Sequence, residues 1–133
     1  YPAAPERLLT GRERILFVDD EQTMTDLGRE MLETLGYQVT TKTSSSDALE
    51  TFQSEPDAFD LVITDMTMPG LTGSELARRL MAIRADIPII LCTGFSDLID
   101  QKLAEEAGIR AFVMKPYVIA NLTRIIRELL DHH

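Results

Sequence analysis

The chain has 133 residues, enough for one domain with one core, and at 44% hydrophobic and 26% charged it has the composition of an ordinary globular protein. Its net charge of -9 argues against direct nucleic-acid binding, which needs a basic footprint. No apolar run approaches the roughly 20 residues that span a membrane, the start has no apolar signal region, and the single Cys92 excludes an internal disulfide and suits a reducing cytosol.

Residues 1–12 read as a linker, with Pro2, Pro5, small residues and no period. "RILFVD" (14–19) reads as a buried strand, apolar on both faces. Met24, Leu27, Met31 and Leu35 follow at helical spacing, and Gly36 reads as the stop. "YQVTTKT" (37–43) is β-rich and half polar, the pattern of a strand nearer an edge. Ser45 or Ser46 caps a helix through about Phe52. "FDLVITD" (59–65) is a further strand that ends in an acid. After the turn-rich "MPGLTG", Thr72 to Glu75 reads as a capping box opening a helix with Leu76, Leu80 and Ile83 on one face. "IPIILCT" (87–93) is a buried strand that holds Cys92, and 96–107 is helical with Gly108 after it. "RAFVMK" (110–115) is the last strand. Pro116 leads into a helix with Leu122, Ile125, Ile126, Leu129 and Leu130 inward. His132 and His133 read as well as a tag remnant as they do as protein.

Five strand–helix pairs in strict alternation predict right-handed crossovers, a five-stranded parallel sheet and helices on both faces, an α/β doubly wound domain over 13–131. Sites in such sheets lie beyond the carboxyl ends of the strands. There the sequence places Asp19 and Asp20, then Asp65, then Thr93 and Gly94, then Lys115. An isolated Asp-Asp pair at a strand end is more often a solvated helix cap. Three acids converging with a lysine are costly unless something positive relieves them. A hard divalent cation such as Mg²⁺ does so with oxygen ligands and retained waters. A carboxylate can also act as a nucleophile and form an aspartyl phosphate, whose oxygens need the metal, an ammonium and a hydroxyl around them. The inventory fits phosphoryl transfer to Asp65.

The pair Asp19-Asp20, Asp65 in "DMTMPG", Thr93 in "CTG" and Lys115 in "KP", each at the end of its own strand and in this order, resemble the receiver domains of two-component signalling. The resemblance implies a flavodoxin-like (βα)5 fold. It implies Asp65 as phospho-acceptor, and Mg²⁺ held by Asp20, Asp65 and the backbone carbonyl of Thr67, with Asp19 acting mostly through water. Lys115 and Thr93 would contact the phosphoryl group, with Gly94 and Thr67 beside it, and Lys115-Pro116 would be a cis bond. Phe112 falls where the family keeps an aromatic switch residue paired with Thr93; it is Phe rather than the common Tyr. Thr67 and Phe95 would flank the hydrolytic water, and an apolar Phe95 implies slow to moderate autodephosphorylation. Thr23, Met24 and Leu27 would dock the phosphohistidine partner, a histidine kinase or histidine phosphotransfer protein.

Two competing readings are weaker. A haloacid-dehalogenase-type phosphatase needs a second Asp two residues after the nucleophile, where this chain has Thr67. A docking-only receiver usually lacks an acid or the lysine, and none is missing. The stretches "RILFVDDE", "MLETLGYQV" and "LCTGFSD" look most like receivers of hybrid sensor kinases, with a stand-alone response regulator as the alternative. The expected setting is the cytoplasm, without direct membrane or nucleic-acid contact, as a monomer or weak dimer.

Overall fold

The computed structural model describes residues 10–94, 102, 104–106, 108–109, 111–115 and 118–131. Five parallel strands form one sheet: β1 (Arg14–Val18), β2 (Gln38–Lys42), β3 (Leu61–Asp65), β4 (Ile89–Thr93) and β5 (Ala111–Met114), in the order β2-β1-β3-β4-β5. The strands are one or two residues shorter than the hydropathy runs. Those runs continue into residues that pack against the sheet without joining its ladder; Phe59 and Ile87, for example, are buried just ahead of β3 and β4.

The described helices are α1 (Gln22–Thr34), α2 (Ser45–Ser54), α3 (Gly73–Ile83) and α4 (Ile119–Asp131). A 3₁₀ turn at Pro56–Ala58 precedes β3. Of the helix expected over 96–107, Lys102 and Ala104–Glu106 are described, and they are helical. The helices divide between the two faces. Leu16, Val18, Val62 and Leu91 pack with Phe52 of α2 and with Leu76 and Leu80 of α3. Ile15, Phe17, Ile63 and Cys92 pack with Leu32 of α1 and with Leu122 and Ile126 of α4. Two apolar faces on one sheet explain why the inner strands read as continuous hydrophobic runs.

Local chemistry sets the helix ends. Gly36 adopts φ 101° after α1, with its N–H donated to Glu33 and that of Tyr37 to Leu32, the Schellman pattern that glycine permits. Thr72 and Glu75 form the reciprocal capping box that opens α3. The cap of α2 is Ser44 rather than Ser45 or Ser46, and the helix runs on to Ser54. Ser44 has the extended backbone (φ -137°, ψ 135°), so its hydroxyl is the one that accepts from the Asp47 N–H.

Two faces differ from the sequence expectation. Helix α1 buries Thr25, Gly28 and Leu32, while Leu27 is 45% exposed and Met24 and Met31 are half-buried. The Phe17 ring occupies the space beneath the helix: a Cβ on Gly28 would stand 2.6 Å from Phe17 Cζ. The contact face is therefore shifted by about one position towards small residues. In α3, Ile83 is 37% exposed, because the last turn extends past the core that Leu76 and Leu80 reach.

Candidate functional site

The register carries the functional residues to one edge. Val18 lies opposite Thr64, so Asp19 and Asp65 emerge side by side from β1 and β3, where the sheet order reverses direction. Asp65 lies opposite Cys92, which puts Thr93 one residue beyond it on β4. The Lys115 N–H donates to the Thr93 carbonyl at 2.9 Å, bringing the end of β5 to the same rim.

Asp19, Asp20 and Asp65 each present a carboxylate oxygen, and these oxygens lie within 4.8 Å of one another. Asp19 is fully buried, Asp65 is 5% exposed and Asp20 is exposed. The Asp19 Oδ1 accepts from the Glu21 N–H at 3.0 Å, which fixes its orientation at the start of α1. Lys115 Nζ stands 2.8 Å from Asp65 Oδ1 and 3.4 Å from Asp19 Oδ2. One ammonium thus meets two of the three clustered carboxylates.

Burial pushes Asp65 above the ordinary carboxylate range. The Lys115 hydrogen bond and charge and the Thr67 N–H pull it back, the Asp19 charge adds to the rise, and the net direction is up. Burial depresses Lys115, but its hydrogen bonds and charge interactions with Asp65 and Asp19 outweigh this, so its proton is held more firmly than in an ordinary lysine. The site is therefore a charged lysine facing a carboxylate, Asp65, whose burial disfavours its ionised form. Two like charges about 5 Å apart at an effective dielectric constant near 20 repel by roughly 3 kcal/mol. An all-oxygen donor set with excess negative charge, one of its members open to solvent, suits a hard divalent cation such as Mg²⁺. A cleft of about 560 Å³ opens beside Asp20, lined in part by Ser44, Ser46, Met68 and Gly70.

The remaining residues marked in the sequence take the following places. Thr93 is 2% exposed at the end of β4, with Gly94 half-buried after it. Phe112 lies opposite Leu91, so it shares the sheet face on which Thr93 follows Leu91 two residues later. It is half-buried against the α2–α3 core. Thr67 is exposed in the loop after β3. Thr23 is exposed on α1, one turn before Leu27. Phe95 and the Lys115-Pro116 bond lie outside the described residues.

One residue of the site carries no chemical signal in the sequence. Gly73, the first residue of α3, sits against the backbone that bears Asp65: its N–H donates to the Met66 carbonyl at 2.7 Å, and a Cβ there would come within 2.8 Å of Met66 Cα.

The family model for the response regulator receiver domain matches residues 15–127. The chain belongs to the response regulator receiver family. A receiver-domain protein from Clostridium thermocellum superposes with a TM-score of 0.87 at 32% identity, covering 90% of this chain and 95% of that one. A CheY-like receiver protein from Methanospirillum hungatei gives 0.84 at 30% identity, covering 92% and 96%. Among curated relatives, the probable transcriptional regulator ycf27 of Cyanophora paradoxa is 35% identical over 119 residues, 90% of this chain and 48% of that protein. The receiver spans about half the length of such relatives. No helix among its described residues is long and apolar enough to cross a membrane.

Proposed function

We propose that this receiver takes a phosphoryl group from a phosphohistidine, on a histidine kinase or a histidine phosphotransfer protein, onto the carboxylate of Asp65. The observation that carries the reading is Lys115 Nζ at 2.8 Å from Asp65 inside a cluster of three carboxylates at the switch point of the sheet. An Asp65 Oδ attacks phosphorus, the phosphorus–nitrogen bond breaks, and the imidazole leaves with its electron pair and takes up a proton. Asp19, Asp20, Asp65 and the backbone carbonyl of Thr67 would hold Mg²⁺, which when bound supplies positive charge against the transferring oxygens.

The chain's own residues do the rest. Lys115 turns from Asp65 to the phosphoryl oxygens and keeps its proton throughout. Thr93 and Gly94, on the neighbouring strand end, offer a hydroxyl and an N–H to the same group. Asp19, held by the Glu21 N–H, keeps its second oxygen towards the site. When Thr93 moves to the phosphoryl group, Phe112 on the same sheet face fills the space it leaves, and the two arrangements form the switch. Thr23, Met24 and Leu27, beside the acids, form the docking surface for the donor.

Incubation with acetyl phosphate and Mg²⁺, followed by intact mass, tests the reading. One phosphoryl group per chain, lost with EDTA, is expected. A folded, Mg²⁺-binding protein that gains no adduct and forms no beryllofluoride complex refutes it.

A second reading concerns the setting. The stretches "RILFVDDE", "MLETLGYQV" and "LCTGFSD" resemble receivers of hybrid sensor kinases. The relatives named as transcriptional regulators favour a receiver joined to an output domain, since this chain covers 48% of the Cyanophora paradoxa protein. The coding sequence on either side of residues 1–133 decides between them.

A further inference from the structure

The first strand is tied at one end to the residue that follows β5 and at the other to the last helix. At the carboxyl end of the sheet, Lys115, four residues before α4, pairs with Asp19, the residue after β1. At the opposite end, the Arg127 guanidinium pairs with Glu13, the residue before β1, and donates to the Thr10 carbonyl at 3.4 Å. Between the two ties, Ile15 and Phe17 of β1 share one apolar cluster with Leu122 and Ile126 of α4.

The lower tie is built into the domain. The Arg127 side chain is 17% exposed, lies 5.8 Å from the centre of the Tyr37 ring and also approaches Asp131 at 3.8 Å. Tyr37 is 2% exposed, and among the described residues its hydroxyl and the Arg127 Nε have no hydrogen-bond partner. The segment leading into β1 is pinned by its backbone too: Gly11 N–H donates to Leu35 at 3.1 Å, and Gln38 N–H donates to Glu13 at 3.0 Å. Buried polar atoms left without a partner are costly, so part of this tie's stability is withheld in the ligand-free arrangement.

We propose that the Glu13–Arg127 pair is a latch that couples occupancy of the acid pocket to the segment entering β1. The proposal rests on the phosphoryl-acceptor reading of that pocket. A phosphoryl group draws Lys115 away from Asp19 and so loosens the upper tie. β1, with Glu13 before it and Asp19 after it, and the core it shares with Leu122 and Ile126 connect that loosening to the Glu13–Arg127 pair. The latch is closed in the ligand-free arrangement and stabilises it. By reciprocity, a ligand that opens the latch must bind more tightly once the latch is removed.

The test uses the full 133-residue chain, with beryllofluoride and Mg²⁺ as the phosphoryl stand-in. Wild type is compared with Glu13→Gln, which keeps the shape and removes the charge, and with Arg124→Gln, which breaks the exposed Arg124–Glu128 pair on the same helix. Thermal melts confirm that all three fold. In wild type, beryllofluoride should speed amide exchange at Gly11 and Gln38. In Glu13→Gln, the beryllofluoride Kd should fall by about three- to tenfold, with Arg124→Gln unchanged, a coupling at the modest end for linked sites. An unchanged or raised Kd in Glu13→Gln overturns the latch, whatever the amides show. A wild type that binds no beryllofluoride overturns the acceptor reading, and the latch falls with it.

Discussion

Substituting Gly73 by alanine links packing to chemistry most sharply. The new Cβ would stand 2.8 Å from Met66 Cα and 2.9 Å from the Asp65 carbonyl carbon, inside any real contact distance. Both atoms are backbone, so no side chain can swing aside. Either α3 lifts away from the sheet or the end of β3 gives way. Overpacking of this kind costs about 1–3 kcal/mol. The helix-propensity gain of alanine over glycine, about 1 kcal/mol in a helix interior, is smaller at this first position. A net loss of about 1–2 kcal/mol corresponds to a Tm lower by roughly 3–10 °C in a domain of this size. The strain falls on the peptide that carries Asp65, whose carboxylate sits 2.8 Å from Lys115 Nζ. A displacement of a few tenths of an ångström there should slow phosphorylation by acetyl phosphate by about threefold. Thermal melting and the rate of adduct formation measure the two effects. A Tm within about 1 °C of wild type together with an unchanged rate would refute the close-packing argument.

Four further outcomes follow from the geometry. Lys115→Met should leave the protein folded and lower its phosphorylation rate on the order of 10²-fold, the cost of removing one preorganised charge donor, as read from adduct formation over time. Thr72→Ala should remove the capping box, cost about 1 kcal/mol in chemical denaturation and leave the phosphorylation rate within about twofold. Mg²⁺ at tenfold its Kd should stabilise the protein by about 1.4 kcal/mol, and Asp20→Asn, at an exposed position, should reduce that gain with little loss of metal-free stability. Burial raises the Asp60 carboxyl, but the Arg14 hydrogen bonds and charge outweigh it and hold it below the ordinary range. Because its folded pKa lies below the unfolded one, this stabilisation is present above about pH 4 and fades as pH falls through the folded value, and Arg14→Gln should flatten that part of a Tm-against-pH curve.

The sequence announced what is written in strong local signals. Strand runs ending in acids, the glycine after α1 and the Thr72–Glu75 pair each name their own geometry, because a register, a positive φ or a reciprocal cap admits few residue types. The meeting of Asp19, Asp65 and Lys115 followed from the parallel alternation, since every such strand delivers its last residue to the same edge. What hydropathy missed was shape. It favoured Leu27 and Met31 as the buried face of α1, yet the helix rests on Thr25, Gly28 and Leu32 because the Phe17 ring fills the space below. A small residue that admits a neighbour leaves no apolar signal, and Gly73 was overlooked for the same reason. Three consecutive serines carry identical capping chemistry, and only the backbone singles out Ser44. The Glu13–Arg127 pair joins residues 114 positions apart, and no local pattern can announce it.

The central claim is that Asp65 carries the phosphoryl group. The direct measurement is borohydride reduction of the protein after exposure to acetyl phosphate and Mg²⁺, followed by peptide mapping. Reduction converts an aspartyl phosphate to homoserine and so marks the acceptor permanently. Homoserine at position 65, absent with EDTA and absent in Asp65→Asn, is the expected result. Homoserine at Asp19 or Asp20 instead, or an adduct that persists in Asp65→Asn, would contradict the account.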